Sequence, residues 1–284
     1  MQARPILRLS SHARPHYKRP AAFRGGIGVF MITDPLFYLA AIPGVLLAGL
    51  AKGGFGGALG MLAVPLMALV ISPVQAAAIM LPILISMDVV GLIAWRGTFD
   101  RRAIAIVLPA ALLGIGVGWA TAAWVTEAHV RLIVGIVALM FTADYMLGGA
   151  KRLEPKPHNR AKGTFWGAVT GFTSFVSHAG GPPFQMYMLP LRLDPKLFAG
   201  TAIMVFAVVN AVKVVPYFFL GQFSTANLWT SATLLPLAPL ATLAGVFLVK
   251  RVRADLFYRF VYAALFAIGL KLVWDGASGI LSQL

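Results

Sequence analysis

Long apolar runs, separated only by short polar stretches, fill the chain from about residue 34 to residue 275. Several runs approach the ~20 residues that a helix needs to cross a bilayer. The runs are 36–51, 55–71, 75–95, 103–124, 129–149, 164–178, 182–190, 197–220, 227–248 and 256–274. The pattern predicts an all-α polytopic membrane protein with about 8 transmembrane segments.

A charged, proline-containing stretch divides these runs into two sets. We therefore predict five regions along the chain. They are a basic, disordered tail over 1–33, a first transmembrane repeat over 34–150, a cytoplasmic linker over 151–162, a second transmembrane repeat over 163–275 and a C-terminal tail over 276–284.

The second set echoes the first, which indicates an internal duplication. "WRGTFD" over 95–100 resembles "FLGQFS" over 219–224, with Gly97 and Gly221 in step. Loop charge gives the orientation, because basic loops stay in the cytoplasm. Loops 96–102 and 249–255 are basic, whereas the equivalent loops 221–226 and 125–130 contain no Lys or Arg. This opposite bias predicts two inverted repeats, each a short or re-entrant helix pair broken at glycines and followed by three transmembrane helices.

The basic segment 1–30 has two interpretations. It lacks the long apolar core of a signal peptide, which favours a disordered basic tail. Alternatively, translation starts at Met31, which would also remove a basic tail from the outer side of the predicted topology. Both interpretations leave residues 1–30 without a role in chemistry.

Composition excludes several classes of protein. Only 12% of the residues are charged and 59% are hydrophobic, against about 25% charged in soluble domains. The absence of cysteine excludes disulfides, thiolate metal sites and thiol catalysis. The net charge of +15 lies in the tail and in short loops, so membrane orientation explains it without a nucleic-acid partner. We expect no cofactor and no metal.

The stretch "AKGGFGG" over 51–57 interrupts an apolar segment. Irregular backbone at membrane depth is tolerated where it is buried in protein or lines a cavity. Glycine lets backbone N–H groups approach a ligand closely, and Lys52 adds a full positive charge. We predict an anion site here, formed by Lys52, Gly53, Gly54, Gly56 and Gly57. The alternative is that these glycines only let helices pack closely, as Gly114, Gly116 and Gly118 are expected to do.

The stretch "SHAGGPP" over 177–183 occupies the matching place in the second set. It adds Ser177, His178, Gly180 and Gly181 to the predicted substrate site. Two broken helices at corresponding positions are the best sequence pointer to a transporter's binding site. His178 could also couple transport to protons, or it could be an ordinary buried, hydrogen-bonded histidine.

Ionisable residues inside transmembrane segments are rare and mark function or pairing. When Ser86 is aligned with Asn210, Asp88 and Lys213 fall one position apart. We predict that Asp88 and Lys213 pair across the pseudo-symmetry axis and border the substrate path or carry protons. The alternative is a purely structural ion pair. Ser86 and Asn210 are predicted to donate hydrogen bonds to the anion.

The stretch from "LAGLAKGGFGG" to "WRGTFD" resembles the first repeat of the sulfite exporter TauE/SafE family. The matching pieces are the glycine-rich break, a proline-containing helix and a helix that begins with proline and ends in an aromatic-basic-glycine loop. The likeness extends in layout over about 34–275. It implies a membrane permease for sulfite, sulfonates or related small anions.

We therefore expect a secondary transporter of a small anion that works by alternating access, and not an enzyme. An anion channel is the alternative, and an intramembrane enzyme is a weaker one, because the chain contains neither a Walker motif nor an HExxH motif. The expected partners are the anion, the lipid bilayer, coupling protons and, as a further candidate, a second copy of the chain. The expected location is the cell inner membrane, crossed several times.

Overall fold

A computed structural model describes residues 31–55, 57–122, 124, 126–147, 155–249 and 254–282, and the tail 1–30 lies outside these ranges. Within them all regular structure is helical, which confirms the all-α prediction. The first set of runs forms α1 (Pro35–Leu50), α2 (Gly57–Gly60), α3 (Ala63–Met67), α4 (Pro73–Ala94), α5 (Arg101–Thr121) and α6 (Glu127–Leu147). The second set forms α7 (Arg160–Ser177), α8 (Gly181–Met188), α9 (Pro195–Phe219), α10 (Thr225–Leu234), α11 (Leu237–Val249) and α12 (Ala254–Leu281).

The main helices of both sets begin in the same way. A short polar side chain precedes the helix and accepts a hydrogen bond from a backbone N–H of the first turn, which would otherwise lack a partner. The matching caps are Asp34 and Asn159 before α1 and α7, Ser72 and Asp194 before α4 and α9, and Asp100 and Ser224 before α5 and α10. Proline occupies the first position of α1, α4 and α9, where no N–H is needed.

The turns after α4 and α9 also correspond. Gly97 has φ of 76° and Gly221 has φ of 66°, a conformation that glycine adopts without steric cost. These are the two glycines that the sequence comparison placed in step.

Each set packs its broken helix against the other set. The helix α1 lies on α11, and α7 lies on α5. In the first contact a Cβ added to Gly49 or Gly53 would meet the backbone of α11 at 241–245 at 3.0 Å or less. In the second, a Cβ at Gly171 would lie 1.8 Å from the carbonyl oxygen of Ala111. Small residues thus bring the backbones together, as they do in many membrane proteins.

The described residues contain four helices that are long and apolar enough to cross a membrane, namely Pro35–Gly53, Pro73–Ala94, Arg101–Thr121 and Lys196–Phe219. The pair α10 and α11, bent by 43°, would be a fifth. The helices therefore indicate an integral membrane protein, and the count of about 8 segments stays a prediction.

The end of the linker is fixed to the second broken segment. The N–H of Lys156 donates to the carbonyl of Pro190 at 2.9 Å, and Nδ1 of His158 lies 3.0 Å from the hydroxyl of Tyr187 on α8. Nε2 of His158 also lies 3.4 Å from a carboxylate oxygen of Asp100. These contacts anchor the start of α7 and the end of α8 to the loop that precedes α5.

Candidate functional site

The first break is a π-helix. The helix α1 continues into Ala51–Phe55, which has π-helical hydrogen bonding, before α2 begins at Gly57. Single π-helical turns inside α-helices occur frequently at functional sites. Lys52 lies in this turn, and its side chain is 12% exposed. The sequence "AKGGF" therefore places a lysine on irregular backbone inside the protein.

The second break is a left-handed turn at a histidine. His178 ends α7 with φ of 56°, a region that non-glycine residues seldom adopt. Its N–H donates to the carbonyl of Ser174 at 3.0 Å, and the N–H of Ala179 donates to that of Thr173 at 3.2 Å. The helix α8 then starts at Gly181. A strained residue of this kind persists only where its surroundings hold it.

A cavity of about 60 Å³ lies between the two breaks. Its polar side chains are those of Lys52, Ser174, His178 and Asn210, and Gly181 also lines it. Small and apolar residues of α1, α4 and α9 complete the wall. The cavity therefore joins one cation and several hydrogen-bonding groups within an apolar shell.

Asp88 holds the lysine on one side of this cavity. Lys52 and Asp88 form an ion pair through Oδ1 of the carboxylate, and Nδ2 of Asn210 donates to Oδ2 at 2.6 Å. Asp88 is 3% exposed, so its charge is buried. The Lys52 ammonium also lies 5.2 Å from the ring centroid of Phe206, within cation–π range.

Lys213 forms a second network on the other side. Its Nζ donates to the carbonyl and the hydroxyl of Ser174, at 2.9 Å and 3.0 Å, and lies 2.7 Å from Nδ1 of His178. Nε2 of His178 lies 2.8 Å from the carbonyl oxygen of Ala77. Because a carbonyl can only accept, Nε2 carries the hydrogen. A neutral His178 therefore accepts at Nδ1 from Lys213, and all three ammonium donors are used.

Helix geometry explains why α9 serves both networks. Phe206, Asn210 and Lys213 follow each other at spacings of four and three residues, so they lie on one face of the helix. Asn210 reaches α4 and Lys213 reaches α7 from the same face.

The structure corrects the predicted contact between Asp88 and Lys213. Asp88 pairs with Lys52 and Asn210, while Lys213 bonds to Ser174 and His178. The prediction considered only α4 and α9. The two breaks bring a lysine and a histidine between those helices, and these nearer partners take the two side chains.

The other predicted residues have different surroundings. A Cβ at Gly53 would lie 2.5 Å from the backbone of Gly245, and one at Gly180 would lie 2.8 Å from the carbonyl oxygen of Thr170, so both glycines permit close packing. Ser177 is buried and donates to the carbonyl of Thr173 on its own helix. Ser86 is half-buried and is not among the residues that line this cavity. Gly54 lies in the π-helix and Gly57 begins α2, while Gly56 falls outside the described residues.

Sequence reasoning missed Ser174 and Phe206. Each lies four residues from a predicted site residue, Ser174 before His178 and Phe206 before Asn210. A helical-face argument starting from those two residues would have found both.

Among the residues that the structure describes, no group of three or more His, Cys, Asp or Glu side chains could hold a metal ion. The charged and polar groups at this site are two lysines, a carboxylate, a histidine and neutral donors.

Comparison with models of protein families gives a match over most of the chain. A family model described as "Sulfite exporter TauE/SafE" matches residues 41–272. Neither the curated proteins nor the solved structures contain a match to the chain.

Proposed function

The chain belongs to the sulfite exporter TauE/SafE family of membrane transporters, and on this premise we propose that it is a secondary carrier for a small anion. The substrate class is sulfite, a sulfonate or a related sulfur-containing or organic anion. The proposed site is the cavity between the two breaks, and the proposed location is the inner membrane, crossed several times.

The observation that carries this proposal is a cation in the wall of a small cavity between two broken helices. A volume of about 60 Å³ has room for roughly four water molecules at ~15 Å³ each. That size suits a small oxyanion better than an extended organic molecule. Lys52 supplies charge, while Asn210 and Ser174 supply hydrogen-bonding groups.

The position of Lys52 also favours an anion. Ionisable groups in membrane segments are costly unless they are paired or serve a substrate path. The Lys52 ammonium lines the cavity and has one carboxylate partner, so an anion bound in the cavity could take the place of that carboxylate.

The arrangement of helices supports inverted repeats and alternating access. The matching caps, the matching turns and the reciprocal packing of α1 on α11 and of α7 on α5 are what two related halves would give. We propose that each broken helix moves with the half against which it packs. Rocking of the halves would then open the cavity alternately to each side.

Counterflow in proteoliposomes tests this function. Vesicles loaded with unlabelled sulfite and diluted into labelled sulfite should accumulate label transiently, and the initial rate should saturate with concentration. Chloride and a bulky organic anion serve as competitors that should inhibit weakly. Flux that rises linearly with concentration and follows the membrane potential would indicate a channel instead. No flux of sulfite or of a small sulfonate would overturn the proposal.

A further inference from the structure

We propose that one proton accompanies each monovalent anion through this site, and that Asp88 carries it. This inference rests on the proposed carrier function, because it concerns the same cavity. It adds the coupling ion, the residue that holds the ion and the charge of the transported anion.

Asp88 already occupies the position of an anion beside Lys52. In the described conformation its Oδ1 pairs with the Lys52 ammonium, which lines the cavity, while Asp88 itself lies behind the wall. An entering anion must therefore compete with this carboxylate for the same cation. Protonation of Oδ1 removes the competition, since the ammonium then has no charged partner and can bind the substrate.

The protonated side chain still fits its surroundings. Oδ2 can continue to accept from Asn210 at 2.6 Å, and the new O–H on Oδ1 becomes a donor. This O–H points toward the side on which the Lys52 ammonium contacted Oδ1, so it can donate to an oxygen of the anion alongside Lys52. The balance is simple: one proton is taken from solution, and one Lys52–carboxylate contact is exchanged for a Lys52–substrate contact.

The net charge of the site then determines in which states it can reorient between the two sides of the membrane. Lys213 stays bonded to Ser174 and His178, so its contribution is the same in every state. The empty pair, Lys52 with ionised Asp88, is neutral, and the loaded group of Lys52, protonated Asp88 and a monovalent anion is neutral too. A proton without an anion leaves a net positive charge, and an anion without a proton leaves a net negative one. A buried uncompensated charge is strongly unfavourable. Only the two neutral states can therefore reorient readily, which gives electroneutral symport.

The other titratable groups near Asp88 do not take its role as proton carrier. Lys52 on the π-helix pairs with it, and Lys213 on α9 is close enough to interact with it electrostatically. His178 after α7 bonds to Lys213 and to the carbonyl of Ala77. Both ring nitrogens of His178 are engaged, and protonation at Nδ1 would break its bond from Lys213. The helices α1, α3, α10 and α11, which also pack near α4, contain no Asp, Glu, Lys, Arg or His. On α6, His129 bonds to Thr126 at the exposed end, and Arg131 lines a separate cavity with Ser177.

The test uses labelled methanesulfonate, an anion whose own charge does not change across the pH range of interest. In wild-type proteoliposomes a pH gradient should drive uphill accumulation, and a potassium diffusion potential alone should not. Asp88→Asn fixes the side chain in a neutral form, so the anion exchange that remains should no longer vary with pH, and accumulation driven by the pH gradient should be lost. Methanesulfonate exchange in Asp88→Asn that keeps the wild-type response to pH would overturn the proton role and leave the carrier function standing.

A second measurement uses only wild-type protein, in case Asp88→Asn fails to fold. Adding methanesulfonate to the purified carrier in weakly buffered detergent should remove one proton from solution for each anion bound. Anion binding without proton uptake would overturn the inference by itself. If wild-type vesicles exchange neither sulfite nor methanesulfonate, the carrier proposal and the coupling fall together.

Discussion

The two breaks occupy matching places in the chain but hold their charged residues in different ways. At the first, Lys52 lies on a π-helical turn, lines the cavity and is held by one ion pair and a neighbouring ring. At the second, His178 has a left-handed backbone and both ring nitrogens bonded, and the Lys213 behind it uses all its donors.

This difference indicates that the two breaks have different roles. A single ion pair can be exchanged for a substrate, since only one contact has to be replaced. A network in which every donor is satisfied is costly to disturb, because each broken bond leaves a buried polar group without a partner. We infer that the first break binds the anion and that the second keeps the cavity wall in place.

Removal of the cation at the first break should have the largest effect. Lys52→Ala should lower anion exchange by about 10- to 100-fold, the loss expected for a charged hydrogen bond of about 1.5–3 kcal/mol. It also leaves Asp88 buried without its partner, so the melting temperature should fall. Transport counterflow and thermal unfolding in detergent measure the two effects.

The double variant Lys52→Ala with Asp88→Asn separates those effects. It removes the uncompensated charge, so the melting temperature should recover while exchange stays low. Lys271→Ala is the matched control, because that lysine pairs with Asp275 on an exposed face and its loss should change little. Recovery of exchange in the double variant would show that Lys52 does not bind the substrate.

The second break should respond to backbone conformation more than the first. His178→Ala and His178→Gly both remove the imidazole and its bonds to Ala77 and Lys213, which should cost about 1–3 kcal/mol of unfolding free energy. Glycine adopts a positive φ without strain, so the glycine variant should be the more stable by about 1 kcal/mol. Melting temperatures of the two variants give this comparison.

Transport by the same two variants distinguishes the ring from the backbone. If the imidazole holds the cavity wall through Lys213, both should show a similar loss of exchange, of about 10-fold, because both lose the same bond. Equal stability of the two would mean that the left-handed turn does not constrain the break. Wild-type exchange in His178→Gly would remove the histidine from the site.

The sequence was sufficient to locate both breaks, because a lysine or a histidine among glycines within an apolar run is a local signal. It also singled out Asn210 and Lys213 of α9 through the alignment of the two sets. It was wrong about the partner of Asp88, since that partner lies on a third element whose position depends on tertiary packing. The role of the glycines also depends on tertiary packing that the sequence does not reveal. Gly53 was expected at the anion, whereas the approach of Gly245 from α11 accounts for it.

The substitution with the smallest expected effect on anion exchange tests that account of Gly53. A Cβ at this position would lie 2.5 Å from backbone atoms of Gly245, which cannot move away as a side-chain tip could. Gly53→Ala should therefore lower the unfolding free energy by about 1–3 kcal/mol. Gly116→Ala is the control. Gly116 was expected to let helices pack closely, which is wrong, because an added Cβ there meets nothing within 4 Å. Alanine also favours a helix by up to about 1 kcal/mol. The two substitutions should shift the melting temperature in opposite directions. If Gly53→Ala leaves the unfolding free energy unchanged but loses anion exchange, Gly53 belongs to the substrate site. The first break would then bind the anion through its backbone as well as through its charged side chain.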